Sequence, residues 1–174
     1  MNTDETSRRR FLAAAATAGA SVALAGCSGG SGGSDGGESG ESDANGGDYS
    51  AAEQRVVDYL NSNDETGNFD GSFADETGAD EVVIEVGAPG NGANYAYAPP
   101  AVTISTGTTV SWEWTGEGGS HNVVSADDSD FELSSGSPQE QREPFTQTFE
   151  ESGVAFYYCS PHRTLGMKGG VVVE

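Results

Sequence analysis

Four side chains in this 174-residue sequence are of types that hold soft metal ions, and their spacing lets them act together. Past residue 27 there is one cysteine, Cys159, one methionine, Met167, and two histidines, His121 and His162. Three of them fall in the run Cys159-Ser160-Pro161-His162-Arg163-Thr164-Leu165-Gly166-Met167, and His121 lies 38 residues before the cysteine. A thiolate and two imidazoles make a trigonal plane that suits copper, with a thioether as a weak axial contact. The thiolate binds Cu(II) strongly, and both sulfurs are soft enough for Cu(I). Such a cage holds either oxidation state with little movement, which keeps the reorganisation barrier to electron transfer small. Zinc accepts Cys and His but gains little from a long thioether contact. An iron–sulfur cluster needs more cysteines. Four protein donors leave no open coordination position, so the expectation is one bound copper and no enzymatic activity. Two alternatives stay open from the residues alone: a disulfide between Cys159 and Cys27, and a metal-free domain that has kept the residues.

These side chains need a rigid frame, and the sequence from about residue 79 to 174 reads as β-structure. Val82 to Val86 form one strand. Val102, Ile104, Val110, Trp112 and Trp114 alternate with polar residues at period two, with Gly107 as a turn between the runs. Val123-Val124, Phe145 to Phe149, Ala155 to Tyr158 and Gly170 to Val173 add further strands. Short strands and glycine turns predict an antiparallel or mixed sandwich. Before it, residues 50–78 read as a short helix and a loop packed on the domain. Ser50 and Glu53 make a capping box, Val56, Val57 and Leu60 share one helical face with Tyr59 at its margin, and the helix stops near residues 61–63. Gly67, Gly71 and Gly78 punctuate the loop. The expected role of the helix is to cover an open sheet end. Asp64, Glu65 and Asp70 lack the spacing of a calcium loop.

The first 27 residues read as an address. Ser7-Arg8-Arg9-Arg10-Phe11-Leu12 precedes a weakly apolar run to Ala25, the pattern of a twin-arginine signal, and the run is too short to span a bilayer. Leu24-Ala25-Gly26-Cys27 resembles a lipobox, in which the cysteine is lipidated and becomes the new N-terminus; ordinary cleavage that leaves Cys27 free is the alternative. Residues 28–49 form a Gly/Ser/acidic linker with nothing to bury, expected to be flexible and disordered. The net charge of -21 makes nucleic acid and anionic lipid surfaces poor partners. It fits either a basic partner protein or a salty medium, where screening relieves repulsion between acidic groups, and the spread of the acids along the chain favours salt.

His121-Asn122-Val123-Val124 together with Tyr158-Cys159-Ser160-Pro161-His162 and Met167 resemble plastocyanin. Trp112-Glu113-Trp114-Thr115-Gly116 leading into Gly119-Ser120-His121-Asn122-Val123 is more closely similar to halocyanin, the plastocyanin-like type 1 blue copper protein of halophilic archaea. The resemblance covers about residues 50–174. It implies an all-β, cupredoxin-like Greek-key sandwich whose copper is held by His121, Cys159, His162 and Met167. It also implies that Asn122 ties the ligand-bearing segments by hydrogen bonds and that electrons pass through His162. Pro161 and Leu165 would complete an apolar docking patch there, and Pro161, lacking an N–H, adds no hydrogen bond to the cysteine sulfur. Gly166 and Gly169 are expected to let the loop turn around Met167. Arg163 departs from the usual neutral residue and places a positive charge beside the electron exit. The function implied is single-electron carriage between membrane-bound redox proteins of a respiratory chain, by a monomer lipid-anchored to the outer face of the cell membrane. The alternative is copper storage or delivery.

Overall fold

A computed structural model describes residues 49–174. The signal, Cys27 and the linker through residue 48 lie outside the described residues. Ser50 caps helix α1 (Ala51–Asn61): its side chain accepts the Glu53 N–H at 3.2 Å, and the Glu53 carboxylate accepts the Ser50 N–H at 2.8 Å. Nine strands follow: β1 (Ala74–Glu76), β2 (Glu81–Gly90), β3 (Ala93–Ala98), β4 (Ala101–Ile104), β5 (Thr109–Trp114), β6 (Val124–Ser125), β7 (Phe145–Thr148), β8 (Gly153–Tyr158) and β9 (Lys168–Val173). They form two sheets, ordered β1-β4-β9-β8-β6 and β3-β2-β5-β7. Three pairs are parallel, β1 with β4, β4 with β9 and β2 with β5, and the others run antiparallel. The architecture is an all-β sandwich with one short helix.

Alternation decides which face each strand buries. In β2, Val82, Ile84 and Val86 point inward while Glu81, Val83 and Glu85 face solvent. They meet Val102, Ile104, Val110, Trp112, Tyr157, Val171 and Val173 in the main core, which also takes in Cys159 and Met167. Strands β4 and β9 are buried at every position, because the outer face of their sheet is covered too. The cover is α1. Val56 and Leu60 pack with Ala101, Val154, Phe156 and Val172 in a second cluster. The helix therefore lies on a sheet face rather than closing a sheet end. Its close approach needs a small residue beneath it: a Cβ on Gly170 would stand 2.6 Å from Val56 Cγ1.

Three segments differ from the sequence expectation. Ala74–Glu76, inside the stretch read as loop, pairs with β4 as an edge strand. Ala93–Ala98 is a full strand, joined to β2 by a turn at Asn91 and Gly92, both at positive φ as a tight hairpin requires. Tyr49, read as the last linker residue, is docked: its hydroxyl donates to the Gly71 carbonyl at 2.6 Å and its ring is tilted on Phe73.

Residues 49–174 contain four basic side chains against 21 acidic ones. Each basic group sits over an aromatic ring: Arg55 on Phe156, Arg142 on Trp114, Arg163 on Tyr158 and Lys168 on Tyr59, at 4.3–5.3 Å. No helix among the described residues is long and apolar enough to cross a membrane.

Candidate metal centre

Cys159 follows β8 directly, and Met167 immediately precedes β9, so the nine-residue excursion from Cys159 to Met167 is pinned at both ends by one antiparallel pair. The excursion closes on itself. Cys159 N–H donates to the Met167 carbonyl (3.0 Å), His162 N–H to the Cys159 carbonyl (3.1 Å) and Met167 N–H to the His162 carbonyl (3.2 Å). Arg163–Leu165 forms a single 3₁₀ turn ended by Gly166 in the left-handed region. Gly169 does not bend the loop. It lies in the extended β9, where a Cβ would come 2.4 Å from the Tyr157 ring, so its place is set by that ring.

His121 comes from the other side. Its N–H and carbonyl exchange hydrogen bonds with Gln139 at 2.9 Å, and its carbonyl also accepts Trp114 Nε1–H at 3.1 Å. The ring is fixed as well: Nε2 is 2.9 Å from the Glu117 carbonyl. A carbonyl only accepts, so Nε2 carries the hydrogen and Nδ1 presents its lone pair to the site. A carbonyl on the far ring nitrogen is the usual partner of a metal-binding histidine.

Asn122 joins the two halves. Its Oδ1 accepts the Ser160 N–H at 2.8 Å, and its Nδ2 donates to Ser160 Oγ at 3.2 Å and to the Gly136 carbonyl at 3.1 Å. The Asn122 carbonyl accepts the buried Tyr97 hydroxyl at 2.6 Å. The fold thus brings His121, Cys159 and His162 into one cluster, their donor atoms within 4.8 Å of one another. Cys159 Sγ is 3.6 Å from His121 Nδ1 and 3.4 Å from His162 Nδ1, and the two Nδ1 atoms are 3.1 Å apart. Atoms with these separations lie on a circle of radius about 2.0 Å, close to the metal–imidazole bond of about 2.0–2.1 Å known for zinc. The donor set and its spacing therefore fit a single first-row ion. The Met167 side chain is fully buried in the same core cluster as Cys159.

Burial sets the protonation of the metal-free cage. It lowers the pKa of His121, partly offset by the Glu117 carbonyl, and lowers that of His162, helped by the neighbouring His121. Both rings are thus neutral and ready to donate. Burial raises the Cys159 thiol, against the opposing N–H groups of Asn122 and His162. A metal must displace that thiol proton on binding. Cys159 is a buried free thiol.

Around the rim, Pro161 and Leu165 are exposed, Leu165 at 48%, and His162 is half-buried. Arg163 is exposed, and its guanidinium lies 4.3 Å over the Tyr158 ring. Two neighbours of the site were not apparent from the sequence. Tyr95 stacks on His162, with centroids 4.4 Å apart and planes at 22°. Asn91 Nδ2 bonds the carbonyls of both Tyr95 (2.6 Å) and Gly166 (3.0 Å). The Asn91-Gly92 dipeptide is a readable hairpin signal, and it would have placed the Tyr95 strand.

Residues 83–174 match the family of copper binding proteins described as plastocyanin/azurin. Halocyanin from Natronomonas pharaonis is 50% identical over 168 residues, covering 97% of this chain and 98% of that protein. Plastocyanin from Scenedesmus fuscus is 33% identical over 104 residues, 54% of this chain and all of its own length. Among solved structures, pseudoazurin from Methylobacterium extorquens AM1 aligns with 54% of this chain and 75% of its own at 26% identity, with a TM-score of 0.45. The chain belongs to the plastocyanin/azurin family of copper binding proteins, as a halocyanin-like cupredoxin of an electron-transfer family rather than an enzyme.

Proposed function

We propose that His121, Cys159, His162 and Met167 hold one copper ion and that the chain carries single electrons between membrane-bound redox proteins of a respiratory chain. The observation that carries this reading is the triangle of Sγ and two Nδ1 atoms with sides of 3.1–3.6 Å. Copper bound there supplies reversible one-electron exchange. The protein's part is to keep the donors still. His121 is held by Gln139, Trp114 and Glu117, and Asn122 locks its segment to Ser160. Water is excluded from the sulfur side, where Cys159 and Met167 are fully buried. The half-buried His162 ring, flanked by exposed Pro161 and Leu165, is the contact through which a partner reaches the centre. A small apolar patch favours the brief encounters a shuttle needs. Full burial of both sulfurs argues against a delivery protein, which needs a labile, accessible site.

Cys27 carries the lipid in this reading, and residues 28–48 form the tether, on the outer face of the cell membrane after twin-arginine export. The domain then works as a monomer swinging above the membrane. Absorption and EPR spectra of the copper-loaded protein test the centre: an intense blue thiolate-to-copper band is expected, and a colourless Cu(II) form overturns the proposal. Mass spectrometry of the membrane-extracted N-terminus tests the anchor, which fails if Cys27 is unmodified.

A further inference from the structure

Met167 lies between two residues that are both gripped by the segment ahead of the sandwich. On one side is Gly166. Its carbonyl accepts Asn91 Nδ2–H at 3.0 Å, and the Asn91 Oδ1 in turn accepts the Gly67 N–H at 2.6 Å. The Glu65 carbonyl presses on Gly166 so closely that a Cβ there would be 2.2 Å from its oxygen. On the other side is Lys168. Only 4% exposed, it sends its ammonium to the carbonyls of Tyr59 (2.9 Å) and Ser62 (2.8 Å). Those carbonyls close a helix whose own last turn has no basic residue. A helix C-terminus leaves carbonyls without partners and attracts positive charge, so Lys168 caps α1 from another strand. Tyr59, Ser62, Glu65 and Gly67 all precede residue 83, where the family match begins.

We propose that residues 59–67 are a positioning segment for Met167, fixing the main chain on both sides of the thioether so that the docked end of α1 helps set where the sulfur sits. This rests on the reading of Met167 as axial donor. A long, weak axial bond has little restoring force of its own, so the polypeptide decides its length, and the axial ligand tunes the redox potential. The hydrogen bonds of Tyr59, Ser62 and Gly67, and the Glu65 carbonyl against Gly166, do not involve a donor side chain. They act through Gly166, Asn91 and Lys168.

The test uses the full chain with Leu60→Ala, on the buried face of α1 and in the cluster outside the one that contains Met167. In the metal-free protein, hydrogen exchange is expected to speed up in residues 51–67 and also in residues 163–168. Faster exchange confined to residues 51–67 overturns the proposal. In the copper-loaded protein the blue band persists, but the relative intensity of the two thiolate-to-copper bands and the reduction potential shift from wild type. Unchanged values with a deprotected helix overturn it as well. Lys168→Met removes the cap while leaving the apolar helix face intact, and it decides the matter if Leu60→Ala leaves α1 docked or fails to fold. It is expected to change the band ratio, with Lys168→Arg restoring it; an unchanged ratio in Lys168→Met counts against the proposal. A wild-type protein that stays colourless with Cu(II) sinks the copper reading instead, and the exchange experiment on metal-free protein still reads the restraint.

Discussion

Tyr95 lies almost parallel to His162, ring on ring at 4.4 Å, so the most accessible donor of the cage has one face covered by an aromatic from β3. An aromatic pair is worth about 0.5–1.5 kcal/mol beyond the area it buries. Tyr95→Leu is expected to lower the stability of the metal-free protein by about that amount, measured by thermal unfolding. The His162 ring resonances should broaden as the ring gains freedom. Sharp, unshifted resonances would show that the stack does not restrain it.

Asn122 offers a test of the link between the two halves of the site. It makes three side-chain hydrogen bonds, two of them to Ser160 beside the cysteine. Removal of a residue that orients metal donors typically costs 10–100-fold in affinity. Asn122→Ala should weaken copper binding by about that range in a chelator competition, while Cys159→Ser should abolish the intense colour outright. An undiminished colour in Cys159→Ser would mean that another group supplies the charge transfer.

The visibility of the site in the sequence was uneven. The cage residues stood out because cysteine, histidine and methionine are nearly absent elsewhere in the chain. The capping box and the clean alternation of β2 were also legible, since both depend on neighbours in sequence. What could not be read depends on distant segments. Strand β4 loses its alternation because α1 covers its second face. Ala74-Asp75-Glu76 has little strand propensity and becomes β1 only by pairing with Val102–Ile104. The Glu117 carbonyl that orients His121 is a backbone group and leaves no trace in residue type. Asn91 matters because residues 67, 95 and 166 converge on it, which only the folded chain shows.

The contact between Gly170 and α1 predicts an overpacking effect. A Cβ at this position would meet Val56 at 2.6 Å. Gly170→Ala is therefore expected to cost about 1–3 kcal/mol in chemical denaturation. Val56→Ala in the same chain should recover part of that loss, giving a favourable coupling in the double-mutant cycle. Strict additivity of the two would mean that the helix shifts to make room.

Acid should weaken the tie between α1 and the loop before β7. The Asp130 carboxylate accepts from Arg55 at 2.9 Å and from the Val154 N–H at 2.8 Å. Hydrogen bonding by Arg55, then by Val154, holds its pKa below the ordinary 3.8. A carboxylate depressed in the folded state contributes stability that is present above its unfolded pKa and is lost as pH falls through the folded value. Because the pair is nearly half exposed, the contribution is small and weakens with salt. Asp130→Asn should therefore be less stable than wild type at neutral pH in low salt. That gap should close as pH falls below about 4. A gap that persists unchanged into acid would assign the difference to packing.

The excess of acidic over basic side chains described above leaves residues 49–174 strongly anionic. Arg55 and Arg163 remain exposed, but four basic side chains offer little positive charge against 21 acidic ones to attract another molecule's carboxylates. Two copies approaching in dilute buffer repel one another from nearly every direction, and dissolved ions must quieten that field before a pair of surfaces can touch. Ionic strength then becomes a control on how often encounters succeed, with crowded brine as the condition in which this polyanion is most approachable.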